Sequence, residues 1–129
     1  MREAGVGLLG LHDFAAFCKA REGATTIRQL QTCQIERVGQ VVELTLRADA
    51  FCHSMVRSLT GGLVEVGLGR RDPAWLVGLL DTPTRAGDVR VMPAKGLVLA
   101  EVGYPPDGQL AARNAAARSV RQLPKDGCC

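Results

Sequence analysis

The chain has 129 residues, 47% of them apolar and 22% charged, with a formal net charge of +3. That length suits one domain, and that composition excludes wholesale disorder and the collagen-like and coiled-coil classes. No apolar run approaches the roughly 20 residues of a membrane helix, so a soluble protein is expected.

Residues 1–11 are glycine-rich and read as a lead-in. The apolar run from Ala4 to Leu11 is marginal as a secretory leader, and no small-x-small site follows it. His12 to Cys18 reads as a short helix with Phe14, Phe17 and Cys18 on one core-facing side. Ile27 to Arg37 and Val42 to Ala50 read as an antiparallel hairpin with Gly39 between them. In its second strand Val42, Leu44, Leu46, Ala48 and Ala50 point one way, and Glu43, Thr45, Arg47 and Asp49 the other. That period of two describes a sheet with one buried and one polar face.

His53 to Leu68 reads as a helix. Met55, Leu59, Gly62 and Val66 make one stripe, while Gly61, Val64 and Leu68 lie nearly opposite, together with Arg57. A helix apolar on two sides is packed on two sides. Mid-helix glycines each cost about 1 kcal/mol relative to alanine, a cost that makes sense where another backbone comes close. Gly67-Leu68-Gly69 closes this helix, and Asp72-Pro73 opens the next as N-cap and first helical residue, running to about Leu80 with Trp75 in the core. Residues 81–96, with Pro83, Gly87, Pro93 and Gly96, read as a long loop, and Leu97 to Val102 as a last strand closed by Tyr104-Pro105-Pro106. From Leu110 the Ala/Arg-rich sequence either frays as a helix or stays without structure. The expected fold class is α+β, a mostly antiparallel sheet with helices packed on one face. Residues 1–106 form the expected domain and 107–129 a flexible tail.

The tail carries Arg113, Arg118, Arg121 and Lys125 against Asp107 and Asp126, so it holds most of the net positive charge. Arginine dominates the basic residues and is the better fork for phosphate. Cysteines at 18, 33, 52, 128 and 129 are odd in number and contain no C-x-x-C. No disulfide framework or zinc site is expected, and a reducing cytoplasm fits best.

Arg57 is the residue to single out. A guanidinium on a helix that is apolar on two sides must either reach solvent past its neighbours or meet a carboxylate or phosphate. The remaining polar candidates are weak. His12-Asp13 with Cys52-His53 matches no standard ligand spacing, and adjacent residues on a helix do not face each other, which disfavours a Cys52–His53 nucleophile. Gly61-Gly62 and Gly67-x-Gly69 lie in or after a helix, the wrong context for a phosphate loop.

Phe51-Cys-His53-Ser-Met55-Val-Arg57, continued by Gly61, Leu63, Val66 and Gly67, closely resembles the F-x-H-x-M-V-R-x-x-x-G-x-L-x-x-V-G signature of the tRNA pseudouridine synthase A family. Leu8-Leu-Gly-x-His12-Asp-Phe14-x-x-Phe17 resembles the family's LLGEHDF segment, with Leu11 where Glu is usual. Thr26-Ile-Arg28, Pro93-Ala-x-Gly-Leu97 and Tyr104-Pro105 follow in the family's order. Together these motifs span residues 8–106. The resemblance implies half of a pseudouridine synthase fold and an isomerase that detaches uracil from its ribose, turns it, and rejoins it through carbon 5. Its substrates would be uridines 38–40 of the tRNA anticodon arm, with no metal or organic cofactor, and its members are homodimers. It implies that Arg57 is the active-site arginine that pairs with a catalytic aspartate. His53, Arg85, Arg113 and Arg118 are then the candidate RNA contacts. The family's aspartate lies in an R-T-D-x-G-V-H-A motif of the N-terminal half, and this sequence contains no R-T-D. The chain therefore reads as a C-terminal half, inactive alone. It would either work with a chain carrying the N-terminal half or serve as a non-catalytic RNA-binding or complementing domain.

Overall fold

The computed structural model describes residues 1–124. Three strands, β1 (Gly10–Asp13), β2 (Ile27–Val38) and β3 (Val41–Ala48), form one antiparallel sheet in the order β1-β2-β3. Helices α1 (Arg2–Gly7), α2 (Met55–Gly67) and α3 (Pro73–Gly78) pack against it and one another, and α4 (Leu110–Arg118) follows a short 3-10 turn at Asp107–Gln109. This is the expected α+β arrangement. No helix among the described residues is long and apolar enough to cross a membrane.

The hairpin forms as the alternation requires. Val38 pairs with Val41 around a loop whose Gly39 takes a left-handed φ of +62°, and the register runs back to Leu30 opposite Ala48. A bulge interrupts it between Leu30 and Thr32. The extra residue shifts the phase of β2, so that even-numbered Leu30 and odd-numbered Ile35 are both buried. On β3 Leu44, Leu46 and Ala48 pack against the core while Glu43, Thr45 and Arg47 are exposed.

The N-terminal expectations are corrected. Residues 1–11 are not a lead-in: α1 buries Ala4, with Leu8 just beyond it, and its glycines allow it to lie close on β2 and α3. His12 does not begin a helix. Gly10–Asp13 pairs with Leu30–Ile27 as an edge strand, and Asp13 then turns the chain by accepting the Ala15 N–H at 3.0 Å, opening a 3-10 turn at Ala15–Phe17. Sheet pairing outweighs the weak local helix signal here. Phe14, Phe17 and Cys18 are buried as expected, beside Met55, Leu59 and Leu63 of α2.

Asp72 caps α3 by accepting the Ala74 N–H at 2.9 Å, with Pro73 at its first position, and a 3-10 turn at Leu79–Asp81 continues it. Trp75 is half-buried rather than fully enclosed, with the Arg71 guanidinium 4.7 Å above its ring. The expected last strand is absent. Residues 97–102 belong to no strand, and Val98 and Leu99 are each 77% exposed. An alternating segment becomes a strand only beside a neighbour that pairs its backbone, and none of the described residues supplies one. Residues 110–118 are helical, and no residue of α4 is buried.

Candidate active site

Arg57 stands in the first turn of α2. The chain approaches through Ser54 at a left-handed φ of +67°, and fully buried Met55 and Leu59 then anchor one side of the helix. The opposite side meets the segment around Val89–Met92. A methyl at Gly61 would collide with the Arg90 carbonyl oxygen, and one at Gly62 with the Leu76 side chain. The two glycines thus admit a backbone on one side and α3 on the other, the two-sided packing that the helix pattern indicated.

This close approach places the Met92 backbone beside Arg57. The Arg57 Nε–H donates to the Met92 carbonyl at 2.6 Å, and the Met92 N–H donates to the Arg57 carbonyl at 3.1 Å. The half-buried guanidinium is therefore aimed through Nε, while no carboxylate pairs with it among the described residues. Their ion pairs are Arg70–Glu65, Arg71–Asp88 and Arg121–Asp49. A fork held at one nitrogen, with its two terminal nitrogens free of acidic partners, is suited to a carboxylate or phosphate brought from elsewhere.

The other sequence candidates are spread around the fold. His53 is exposed just before α2; its carbonyl accepts the Lys19 N–H at 2.9 Å, and its Nδ1 lies 3.2 Å from the Ser54 hydroxyl. Arg85 is exposed and lines a cleft of about 350 Å³ with Asp13, Thr25 and Thr26, where the Thr26 hydroxyl donates to Asp13 at 2.5 Å. Arg113 and Arg118 lie exposed on α4, which packs mainly on its own preceding turn. Arg57 and His53 share the approach to α2; Arg85, Arg113 and Arg118 make no hydrogen bond to either among the described residues.

A second charged cluster was not legible in the sequence. Asp49, just past β3, accepts the Gln29 N–H at 3.0 Å and the Ala50 N–H at 2.8 Å through one oxygen, and its other oxygen pairs with Arg121. Arg28 lies alongside, its Nη1 donating to the Ile27 carbonyl at 2.7 Å and its Nε buried without a partner. Burial, and then the neighbouring Arg121 charge, pull the Arg28 guanidinium below its ordinary value, with Asp49 opposing. The sequence placed Asp49 on the polar face of its strand, a position that identifies no partner.

The cysteine expectation is also corrected. Cys18 and Cys52 are joined as a disulfide with their Cα atoms 5.8 Å apart, although 34 residues separate them. Cys33 is free and half-buried, and burial pushes its thiol up from the ordinary range. Cys128 and Cys129, with Lys125, lie outside the described residues.

Residues 4–105 match the family model described as tRNA pseudouridine synthase. Similar proteins include the tRNA pseudouridine synthase A of Cutibacterium acnes, 58% identical over 94% of this chain and 44% of that protein. That of Streptomyces avermitilis is 54% identical over 100% of this chain and 46% of that protein. That of Leifsonia xyli is 55% identical over 91% and 41%. The chain spans under half the length of these relatives.

Proposed function

The chain belongs to the tRNA pseudouridine synthase family, and on that premise we propose that it supplies the arginine half of an active site that isomerises uridine to pseudouridine in the tRNA anticodon arm. The observation that carries this reading is Arg57, aimed by the Met92 carbonyl and without an acidic partner among the described residues. In the family's pattern the aspartate that acts on the ribose comes from the N-terminal half, in a longer chain or on a partner. A guanidinium against that carboxylate keeps it ionised at neutral pH and fixes its direction by paired N–H bonds. An ionised, oriented carboxylate is what attack on the sugar, or removal of a proton from it, requires. The reading places the chain in the cytoplasm with tRNA as its substrate, in a homodimer or beside a chain carrying the N-terminal half. Exposed Leu97, Val98, Leu99, Val102 and Tyr104 support such a partner, because together they offer it apolar surface.

The test is pseudouridine formation in an anticodon stem-loop. The 129-residue chain alone is expected to form none. Mixed with the N-terminal portion of the Cutibacterium acnes relative, it is expected to form product, and Arg57→Ala in this chain is expected to remove it. Product formed by the isolated chain and lost in Arg57→Ala overturns the half-site reading, and product that survives Arg57→Ala overturns the role of Arg57 as well.

A second reading, a non-catalytic RNA-binding or complementing domain with residues 107–129 as a basic tail, is favoured by α4, which buries nothing and exposes Arg113 and Arg118. Phosphate contacts of that kind give an affinity that falls steeply with salt. An affinity flat with salt removes this reading.

A further inference from the structure

The Cys18–Cys52 contact is used by neither reading. Cys18 follows the 3-10 turn at Ala15–Phe17 and is 1% exposed, whereas Cys52 is only partly buried and lies three residues before α2. The separation of 5.8 Å between their Cα atoms is within the range a disulfide spans. The two backbones are also held side by side without sulfur, by the Lys19 N–H donating to the His53 carbonyl at 2.9 Å. Buried Phe14, Phe17, Met55 and Leu59 pack around the same junction. The geometry is thus kept by packing and a backbone bond, and the fold does not need the bridge to bring the two sulfurs together.

We propose that Cys18 and Cys52 are a reversible thiol–disulfide pair that tethers the approach to α2, and with it the turn bearing Arg57, to the Ala15–Phe17 turn. In a reducing compartment such pairs cycle rather than persist. The oxidant is a small disulfide of the glutathione class. The Cys52 thiolate, the more accessible of the two, attacks one sulfur of glutathione disulfide; a mixed disulfide forms and one glutathione thiolate leaves. The Cys18 thiolate then attacks the Cys52 sulfur, closing the bridge and expelling the second glutathione. Two protein thiols lose two protons and two electrons, and one glutathione disulfide becomes two glutathiones. Reduction is the reverse. The tether closes a loop across 34 residues of sequence, which restricts the unfolded chain and raises the melting temperature of the oxidised form by about 5 °C or more.

The full chain is equilibrated in glutathione buffers of graded ratio, approached from oxidised and reduced protein, then quenched, alkylated and mapped by mass spectrometry. A Cys18–Cys52 linked peptide is expected, its fraction following the ratio identically from both directions. Amide exchange at residues 53–57 is expected to be slower in the oxidised form. Cys52→Ser, a change at a partly exposed position, is expected to remove the peptide and the difference in melting temperature. No linked peptide at any ratio overturns the proposal. So does a linked peptide that glutathione never reduces, or a redox-dependent melting temperature that persists in Cys52→Ser. None of these readouts involves pseudouridine, so they stand or fall separately from the proposed activity.

Discussion

Arg57 and Met92 hold each other twice: the Arg57 Nε–H donates to the Met92 carbonyl at 2.6 Å, and the Met92 N–H donates to the Arg57 carbonyl at 3.1 Å. The pair aligns a side chain on α2 with a backbone 35 residues away. It exists because Gly61, one turn further along α2, lets the Arg90 carbonyl rest on the helix. The aim of Arg57 is thus set by a glycine it does not touch.

Gly61→Ala is therefore expected to push the 90–92 segment off α2. Overpacking of this kind costs about 1–3 kcal/mol, measurable by urea denaturation. Gly78→Ala, where a methyl meets nothing within 4 Å, is the control and is expected to leave stability unchanged or slightly raised. Equal losses in both variants would show that the close approach does not matter.

Arg57→Lys separates charge from geometry. Lysine keeps the positive charge but lacks both the Nε–H donor and the planar fork. In the reconstituted pseudouridine assay it is expected to fall close to Arg57→Ala, at least about 100-fold below wild type, the scale typical of losing a positioned electrostatic group. Near-normal turnover in the lysine variant would mean that only charge is needed.

Asp49→Ala and Arg121→Ala remove opposite ends of one ion pair, whose side chains are only 17% and 18% exposed. They are not expected to be equivalent. Asp49 also accepts two backbone N–H bonds, so its loss is expected to cost about 2–4 kcal/mol. Loss of Arg121 leaves Asp49 its two backbone N–H donors and is expected to cost less, about 1.5–2 kcal/mol, the scale of a hydrogen bond to a charged group, and to speed tryptic cleavage at Arg118. Thermal melts of the two single variants and the double variant give the coupling directly.

Cys33 supplies a pH signature. Burial raises its thiol pKa in the folded chain, so the neutral form is favoured by folding. Its contribution to stability is complete below the ordinary thiol range of about 8.5 and declines as pH rises towards the elevated folded value. Iodoacetamide at pH 8 is expected to modify Cys33 more slowly in folded protein than in urea-unfolded protein. Equal rates would contradict a buried thiol.

Much of the fold was legible because its signals are local. The β2–β3 hairpin, α2, the Asp72 cap of α3 and the long loop after it follow from alternation, helical spacing and capping chemistry. The misreadings share a physical cause. Gly5 and Gly7 look like a flexible lead-in, yet they sit where α1 meets Cys33 and Val77. Gly10–Asp13 has little strand propensity and becomes a strand because β2 offers it an edge. Leu97–Val102 has a strand pattern and remains outside the sheet because no described strand pairs with it. Pairing depends on a partner, and the partner is remote in sequence.

For the candidate site the division is similar. By itself the sequence determined the family, through an ordered set of motifs, and it marked Arg57 as a charge out of place on a helix packed on two sides. Those properties belong to residue identity and short spacing. Only the tertiary structure decided that a backbone carbonyl aims Arg57, that Arg121 closes on Asp49, and that Cys18 meets Cys52. Each of these contacts joins segments more than 30 residues apart. Such contacts are set by how α2, the sheet and the 90–92 segment stack, and the order of residues along the chain carries no local trace of that stacking.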